Sequence, residues 1–425
     1  MKRLKVIVIG AGSRGMGYSN IMKHEYDEKY EVIGVADPND SRREYVKNKH
    51  GISDDMCFTD WKPLLEKGKI ADLAIIATMD RDHFEPSMKA IELGYDLLLE
   101  KPITPTPEEC IALTEAANRK GVKVIICTVL RYTALFNYIK QVIDSGRLGK
   151  VMNITHREDV GNVHQSHSFV RGKWGNSERS STMLLQQSCH DIDILQWLLS
   201  KKCLKVQSFG SLSHFTAENA PEGAPDYCVQ GCPHAETCPY NAIKLYYDDK
   251  KNDWFRGACT TLVNPTDEQV MEAISTNQYG KCVYKCDNDV VDHQIVNMFF
   301  EDDITVNFSM AAFNKGGRFI EVMGTKGMLT AAMRGNSPIT IFDFETREED
   351  EISMDALDGI LGGHGGGDSG IVKTVYDYLT GSYEGNSVPD ISESCYNHLI
   401  TFAAEESRLS GKIVDVEEYI AGLKN

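Results

Sequence analysis

The 425-residue sequence has no apolar run approaching the roughly 20 residues that a bilayer-spanning helix needs. It also has no block of lysine and arginine, and its 62 acidic residues against 45 basic ones give a formal charge of −17. Because nucleic acids and anionic membrane surfaces attract basic patches, we expect neither as a partner. The expected ligand is a small molecule.

The basic start of the chain is followed by only four apolar residues, 6–9, before glycines interrupt the run. A secretory signal peptide has a longer apolar region, of about 7–15 residues. We therefore expect a cytoplasmic protein whose 12 cysteines stay reduced unless a metal binds some of them.

Two hydrophobic patterns divide the chain. Up to about residue 130, short continuous apolar runs alternate with helix-like segments, which is typical of a parallel sheet buried on both faces. After residue 150, longer segments alternate apolar and polar residues, which favours an antiparallel sheet. The sequence predicts an α/β domain over residues 1–130 and an α+β domain over residues 131–425 with a large, mostly antiparallel open sheet.

A dinucleotide-binding pattern, G-x-G-x-x-G, spans residues 10–15 between the first apolar run and a helix-like segment. In such a loop Gly10 permits the tight turn, Gly12 lets the backbone approach the pyrophosphate, and Gly15 lets the helix pack closely on the strand. An acid, Asp37, ends the second apolar run at about the spacing expected for a ribose-binding carboxylate. The pattern predicts an N-terminal Rossmann domain with a parallel sheet.

Asp37 favours NAD over NADP, because its carboxylate would accept hydrogen bonds from ribose hydroxyls and repel a 2′-phosphate. Arg42 and Arg43 follow closely in the sequence and weaken that preference. In the alternative interpretation, Asp37 caps the turn that continues through Pro38. NAD is the predicted cofactor, and NADP is the less favoured one.

Later motifs resemble the glucose-fructose oxidoreductase, inositol dehydrogenase and MocA (Gfo/Idh/MocA) family of NAD(P)-dependent sugar and polyol oxidoreductases. They are Glu-Lys-Pro at 100–102, Thr78 with His83 five residues on, Leu-Arg-Tyr at 130–132 and Cys-His-Asp-Ile-Asp at 189–193. The resemblance spans essentially the whole chain and implies hydride transfer between NAD and a secondary alcohol of a sugar, cyclitol or sugar derivative. Together with the glycine loop, it implies these cofactor-binding residues: Gly10, Gly12, Ser13, Arg14, Gly15, Asp37, Arg42, Thr78, His83, Glu100, Lys101 and Arg131.

This chemistry needs a base near the reacting hydroxyl and a cation that stabilises the developing alkoxide. Lys101, after a predicted strand, suits the cation and proton relay, and His190 suits the base. Many family members have an aspartate four residues before this histidine, whereas here that residue is Gln186, which does not titrate. We expect Asp193, or alternatively Asp191, to orient His190, unless Lys101 and His190 transfer the proton alone.

A polar and aromatic segment, 156–174, is the expected polyol pocket, because sugar recognition combines hydrogen-bonding groups with an aromatic platform. A surface loop is the alternative interpretation. A histidine in the glycine-rich segment 362–367 is a further candidate. The expected substrate-binding residues are Lys101, Glu158, His164, His167, Arg171, Trp174, His190 and His364.

A cysteine- and proline-rich insert covers residues 220–240. Its three thiols, Cys228, Cys232 and Cys238, together with Cys282 or His234, make a plausible tetrahedral zinc site. A structural zinc is the first prediction. An iron–sulfur cluster and plain reduced thiols stay open, because the spacing matches no standard finger or ferredoxin motif.

Two other functions fit the same resemblance. A glycoside-cleaving enzyme would oxidise a hydroxyl transiently, eliminate the aglycone and return the hydride, so that no net NADH is released. A non-catalytic NAD-binding regulator is less favoured, because it need not keep Lys101 and His190.

We also expect a homo-oligomer, a dimer or tetramer, because an apolar open sheet face in the second domain would serve self-association.

Overall fold

The computed structural model describes residues 3–357 and 363–423. Its first sheet has six strands in the order β3-β2-β1-β4-β5-β6, and every neighbouring pair is parallel. This confirms the predicted Rossmann domain with its parallel sheet. The strands are β1 (Leu4–Ile9), β2 (Tyr30–Ala36), β3 (Cys57–Phe58), β4 (Leu73–Ile76), β5 (Asp96–Leu99) and β6 (Val124–Ile126).

Helices cover both faces of this sheet, which explains why its strands are continuous apolar runs. Strand β4, for example, is buried over its whole length. Several helices end at a glycine with positive φ, as α2 does at Gly51, where a left-handed residue closes the last turn. The helices before the second sheet are α1 (Ser13–Glu25), α2 (Asp40–His50), α3 (Trp61–Glu66), α4 (Phe84–Leu93), α5 (Pro107–Lys120) and α6 (Ala134–Asp144).

The second sheet has nine strands in the order β14-β13-β12-β11-β7-β10-β9-β8-β15, and only the β7–β10 pair is parallel. The predicted α+β domain with a mostly antiparallel open sheet is therefore confirmed. Its strands are β7 (Val151–Asp159), β8 (Cys203–Ser211), β9 (His293–Phe300), β10 (Thr305–Ala311), β11 (Gly317–Gly324), β12 (Gly327–Met333), β13 (Ile339–Asp343), β14 (Glu349–Ile352) and β15 (Val414–Asp415).

The cysteine-rich insert belongs to the long connection between β8 and β9. The two strands pair with each other, and the pairing reaches their facing ends, Ser211 opposite His293. The connection contains two short helices, Asp253–Thr260 and Asp267–Thr276, and it departs from the sheet and returns to it at adjacent residues. The remaining helices are α7 (Asn162–His164), α8 (Met183–Leu199), α9 (Asp253–Thr260), α10 (Asp267–Thr276), α11 (Gly367–Thr380), α12 (Ile391–Ser410) and α13 (Val416–Gly422), with π-helical turns at Gln165–Arg171 and Ile243–Asp248.

Two helices near the end of the chain return to the Rossmann domain. Helix α11 buries Ile371 and Val375 in the core shared with β1, and α12 buries Leu399 in the core shared with β5. Helix α12 also packs along α8, on the inner face of the second sheet. The two sheets are thus joined by buried helices. Within the described ranges, no helix combines the length and apolar character that a membrane crossing requires.

His398 on α12 forms one of these junctions. Its ring nitrogen Nε2 accepts a hydrogen bond from the backbone N–H of Ile103, at 3.1 Å, just beyond strand β5. The other ring nitrogen, Nδ1, lies 2.8 Å from the carbonyl oxygen of Ser394 and donates to it. This arrangement needs a neutral imidazole, and burial lowers the pKa of His398 to about 4.

We expect acid to destabilise the native state through His398. Its folded pKa lies below the ordinary value of 6.5, so its contribution is complete above pH 6.5 and is lost as the pH falls towards 4. At pH 5 the loss is about 2 kcal/mol. Guanidinium unfolding at pH 7 and pH 5 should show a smaller pH dependence in His398→Gln, whose amide oxygen can still accept from Ile103. Equal pH dependence in both proteins would contradict this role.

Candidate active site

The three loop glycines face different surroundings. Gly10 has a φ of +89°, and a Cβ there would lie 2.5 Å from the carbonyl carbon of Ala77. A Cβ on Gly15 would lie 2.0 Å from the carbonyl oxygen of Gly10. A Cβ on Gly12 would meet no atom within 4 Å, and Gly12 caps the N-terminus of α1. Protein packing therefore requires the first and third glycines, while the second faces open space suited to a pyrophosphate.

Asp37 follows β2 and is 6% exposed. Its oxygens accept hydrogen bonds from the backbone N–H groups of Ala11, at 2.6 Å, and Asn39, at 2.8 Å. Asp37 thus caps the turn through Pro38, as the alternative interpretation predicts. A carboxylate has further lone pairs, so ribose binding stays a prediction. Arg43 donates to the carbonyl oxygen of Asp37, and Arg42 lies in the first turn of α2.

Lys101 comes directly after the loop residue Glu100 at the end of β5 and reaches towards α8. Its Nζ donates to the carbonyl oxygen of Gln186, at 2.7 Å. With the Gln186 amide oriented to match its neighbours, its oxygen accepts from Lys101 Nζ, at 3.1 Å, and from the indole N–H of Trp174, at 3.2 Å. The Trp174 ring centroid is 5.8 Å from the same Nζ. Lys101, Gln186 and Trp174, from three separate segments, therefore meet at one point.

His190 lies one helical turn beyond Gln186 on α8 and is 6% exposed. The backbone between these residues is regular helix, so both side chains occupy the same stretch of the helix surface. Helix α8 begins at Thr182, whose side chain accepts from the N–H of Leu185. The cap sets where the helix starts and so where Gln186 and His190 stand relative to Lys101.

Glu100 connects Lys101 to the glycine loop. Its carboxylate accepts from Arg14 Nε, at 2.8 Å, from Tyr18 OH, at 2.7 Å, and from the backbone N–H of Lys101, at 3.0 Å. Burial alone would raise the pKa of Glu100, but the charges of Arg14 and Lys101 leave that pKa lowered. Arg14 also pairs with Asp368, at 2.7 Å. Arg14 and Glu100, both expected to contact the cofactor, thus form a network of ion pairs with Asp368 next to the glycine loop.

Thr78 and His83 lie after β4. His83 places Nδ1 2.8 Å from the carbonyl oxygen of Pro102, and Thr78 donates through its hydroxyl to the carbonyl oxygen of Asp82, at 2.9 Å. His83 therefore supports the segment that carries Lys101. Cofactor contacts of Thr78 and His83 stay predictions.

Arg131 and Asp193 form a buried ion pair. Arg131 donates from two nitrogens to the two oxygens of Asp193, at 2.7 and 2.8 Å, and Asn397 donates to one of those oxygens, at 2.8 Å. Arg131 is fully buried and also contacts Glu393, at 2.8 Å. These contacts give both residues a structural role that differs from the expected ones. Orientation of His190 by Asp193, and cofactor binding by Arg131, stay predictions.

Asp191 faces the second sheet. It lies 2.7 Å from His156 Nε2 on β7 and accepts from Arg318 Nε on β11, at 2.8 Å. Arg318 also pairs with Glu158, at 2.6 Å, and Gln187 donates to Glu158, at 3.0 Å. Burial raises the pKa of Glu158, and the negative charge of Asp191 adds to that effect while Arg318 opposes it. His156 and Arg318 were missed as site residues, because nothing in their local sequence predicts these partners.

His164 and His167 lie in an aromatic cluster with the insert. His167 stacks on Phe255 with 4.0 Å between ring centroids, and Tyr246 OH is 3.0 Å from its Nδ1. Burial lowers the pKa of His167 to about 3. The ring of His164 is 5.3 Å from that of Trp254. His167 is thus packed as a core side chain, whereas His164 is half-buried beside the exposed Trp254; substrate binding by either residue stays a prediction. The side chain of His364 lies outside the described residues.

The cysteines named above converge without forming a zinc site. Cys228, Cys232, Cys238 and Cys282 line one recess, together with Arg171. Yet within the described ranges no three His, Cys, Asp or Glu side chains are arranged to hold a single metal ion. Zinc needs four ligands in a compact tetrahedron, so the prediction of structural zinc is not supported. Arg171, expected at the substrate, instead donates to the carbonyl oxygens of Lys281 and Tyr240 beside this recess.

Comparison with known proteins agrees with this geometry. Residues 4–128 match the oxidoreductase family model described as an NAD-binding Rossmann fold, and residues 140–416 match the model of its C-terminal alpha/beta domain. The chain is thus a member of an oxidoreductase family with an NAD-binding Rossmann fold. It belongs to the Gfo/Idh/MocA family, as the sequence motifs predict.

Individual relatives are distant. YteT of Bacillus subtilis, classed with the oxidoreductases, is 21% identical over 89% of this chain and 92% of its own length. An inositol 2-dehydrogenase of Streptomyces avermitilis is 29% identical over 52% of this chain and 60% of that enzyme. A 2,7-anhydro-N-acetylneuraminate hydratase of Mediterraneibacter gnavus is 26% identical over 47% and 50%. The crystal structure of Lactobacillus casei scyllo-inositol dehydrogenase with NAD(H) and scyllo-inositol has a TM-score of 0.64, with 17% identity over 98% of this chain and 100% of that one. This likeness shows the shared fold.

The glycine loop offers a matched pair of variants. Gly12→Ala places a methyl group in the open space expected for pyrophosphate, so NAD should bind roughly tenfold more weakly or worse. Gly17→Ala, inside α1 and likewise without an atom within 4 Å, should leave NAD binding unchanged. Calorimetric titration with NAD and thermal unfolding of both variants measure this. Equal NAD affinity of Gly12→Ala and wild type, with both folded, would contradict the assigned loop.

Proposed function

We propose that this chain transfers hydride between NAD and a secondary alcohol of a sugar, cyclitol or sugar derivative. The observation that carries the proposal is the meeting of Lys101, Gln186 and Trp174 at the end of β5. The glycine loop and Asp37 follow β1 and β2 of the same sheet, and ligands of such sheets bind at the carboxyl ends of the strands. The inositol 2-dehydrogenase relative supports the substrate class.

The reaction removes two groups from the alcohol. The C–H hydrogen leaves with its electron pair as hydride, and the O–H hydrogen leaves as a proton, giving a ketone, NADH and a proton. NAD, when bound, supplies the hydride acceptor. The Lys101 ammonium stabilises the developing alkoxide and relays the proton, and His190 is the base that takes it up.

The neutral side chain of Gln186 is consistent with the roles proposed for Lys101 and His190. Its amide oxygen and its carbonyl oxygen both accept from Lys101 without adding a titrating group. The ammonium is therefore held in place by neutral hydrogen-bond acceptors, which do not compete with the substrate oxygen as a carboxylate would. Trp174, whose indole N–H is fixed by the same amide, offers its ring face to the apolar face of a sugar ring.

NAD is the proposed cofactor rather than NADP. The Asp37 carboxylate lies at the end of β2, where a 2′-phosphate would have to lie, and would repel it. Arg43 is occupied by the carbonyl oxygen of Asp37 and by Asp40, which leaves it poorly placed to offset that charge. Calorimetric titration of the wild-type protein with NAD and then with NADP tests this choice. Tighter binding of NADP than of NAD would overturn it.

Removing the Lys101 ammonium tests the mechanism. We expect Lys101→Met to lower kcat about 100-fold or more, since a positioned acid–base group contributes about that much. NAD should still bind, because the glycine loop is untouched, and a titration with NAD separates any loss of the expected Lys101–cofactor contact from the loss of turnover. NADH absorbance, followed with a panel of inositols, sugars and sugar acids, gives kcat. Lys62→Met, which removes an exposed lysine from α3 of the same domain, is the control. Turnover of Lys101→Met within a few-fold of wild type would refute the proposal.

A glycoside-cleaving or hydratase-type reaction is the second candidate, and the 2,7-anhydro-N-acetylneuraminate hydratase relative favours it. Here the same oxidation acidifies the adjacent C–H bond, the leaving group is eliminated, and the hydride returns. The panel above separates the two candidates: dehydrogenation releases one NADH for each turnover, whereas the second reaction releases product without net NADH. NAD binding without turnover of any kind would favour the regulator instead.

We also propose that the open face of the second sheet mediates self-association. One row across this face contains Phe209, Ile295, Ser309, Arg157 and Phe319, which lie opposite one another on neighbouring strands. Phe209 is 51% exposed and Ile295 is 39% exposed, although both are large and apolar. Burial of such a row against a second copy would remove it from water.

The double variant Phe209→Asp/Ile295→Asp should lower the mass measured by light scattering after gel filtration to that of a single chain. The charges would be desolvated at the proposed interface, which makes association unfavourable. Leu409→Asp, on α12 and 69% exposed, should leave the mass unchanged. A wild-type protein with the mass of one chain would contradict self-association.

A further inference from the structure

The recess in the cysteine-rich insert has the features of a ligand site. Its walls enclose about 380 Å³ of space between protein atoms, part of it open to solvent. Four thiols face it: Cys228 and Cys282 are 9% exposed, and Cys232 and Cys238 are half-buried. Four cysteines converging on one recess, in a chain without a disulfide among its described residues, suggest a thiolate-ligated group.

The backbone brings the segments that carry these thiols together. The N–H of Cys228 donates to the carbonyl oxygen of Gly280, and the N–H of Cys282 donates to that of Asp226, at 2.9 and 2.7 Å. These two bonds fix Cys282 opposite the Cys228 loop although it lies 54 residues further along the sequence. His234 also lines the recess, but its Nε2 lies 2.8 Å from the carbonyl oxygen of Glu222. The four thiols are therefore the candidate donor set.

A single ion does not suit this donor set. With metal–sulfur bonds of about 2.3 Å, tetrahedral geometry places the sulfurs about 3.8 Å apart. Within the described residues no three donors are arranged to hold one ion. In a [4Fe–4S] cluster, by contrast, each thiolate bonds a different iron at a corner of the cube, so that the four sulfurs stand further apart. Four thiols on one recess without a single-ion arrangement therefore favour the larger group.

Arg171 supplies a second, independent observation. It is 1% exposed, and two of its nitrogens are engaged: Nε with Lys281 O, at 2.8 Å, and one terminal nitrogen with Tyr240 O, at 2.7 Å. The second of these also lies 3.7 Å from Cys228 Sγ. The other terminal nitrogen is buried, has no hydrogen-bond partner among the described residues and belongs to a side chain that lines the recess. A buried guanidinium N–H without an acceptor is costly, and cluster sulfur would provide one.

We propose that Cys228, Cys232, Cys238 and Cys282 bind a [4Fe–4S] cluster. On assembly each thiol loses its proton, and each thiolate forms one bond to one iron. The Arg171 guanidinium offsets the negative charge of the four thiolates and donates to the sulfurs. The cluster is separate from the hydride-transfer site and does not depend on its activity.

Such a cluster would hold together a segment that touches the cofactor domain. Asn39, after Asp37, donates through its side chain to the carbonyl oxygen of Thr261, in the same connection between β8 and β9 as the insert, at 3.1 Å. The N–H of Val263 donates to the Ser41 hydroxyl oxygen, also at 3.1 Å. This connection therefore contacts the Rossmann domain beside the expected adenosine end of the NAD site, and ordering the connection by a cluster would stabilise that contact.

The test uses the full chain purified without oxygen, since two of the four thiols are half-exposed. Iron, acid-labile sulfide and zinc are quantified, the visible absorption is recorded, and the dithionite-reduced protein is examined by electron paramagnetic resonance. We expect about four irons and four sulfides per chain, a brown colour and a spectrum of a reduced [4Fe–4S] cluster. About one zinc per chain without sulfide would overturn the proposal. So would a colourless protein that stays colourless after incubation with ferrous iron and sulfide.

Serine variants test the ligand set. Cys232→Ser and Cys238→Ser should each retain less than half of the wild-type iron and sulfide. Cys286→Ser, which removes a nearby thiol that does not line the recess, should retain the wild-type amounts. Circular dichroism and NAD titration establish that each variant is folded. Loss of iron from Cys286→Ser equal to that from Cys232→Ser would contradict the assignment, as would full iron content in folded Cys232→Ser or Cys238→Ser.

Discussion

The burial of α8 is the constraint on which the rest of the site depends. A helix enclosed on nearly all sides must find a partner for each polar side chain, because an unpaired buried charge is very costly. Its partners come from three directions: Gln186 contacts Lys101 of the Rossmann domain, Asp191 contacts Arg318 of the second sheet, and Asp193 contacts Arg131. The pairing of the buried polar side chains of α8 therefore fixes the positions of both domains around the candidate site.

A second network of charges acts on the cofactor side. Glu100, the residue that precedes Lys101, accepts from the backbone N–H of Lys101 and from Arg14 of the glycine loop, and Asp368 extends this network to α11. Each member is at least partly shielded from water, so the charges interact more strongly than surface pairs do. The glycine loop and Lys101 are consequently parts of one electrostatic unit, and displacement of one would disturb the other.

Local patterns predicted the groups whose role follows from backbone geometry. Gly10 and Gly15 are required by contacts within a single strand–loop–helix unit, and Lys101 follows its strand directly. Long-range pairs were not predictable in this way. Arg131 is 62 residues from Asp193, and Arg318 is 127 residues from Asp191, so composition gives no sign of either pair. The cysteines show the same limit: the prediction that Cys228, Cys232, Cys238 and Cys282 lie together is confirmed, but the sequence does not predict that no three donors among the described residues are arranged to hold one ion.

The pairing of β8 with β9 determines how the cysteine-bearing segment is anchored. Because Ser211 stands opposite His293, the long connection departs from and returns to the sheet at adjacent residues. A short hairpin turn would join the same two strands without changing their register. The connection is nevertheless an integral part of the fold, because the buried side chains of Arg171 and His167 find their polar partners in it, and its removal would leave both unpaired.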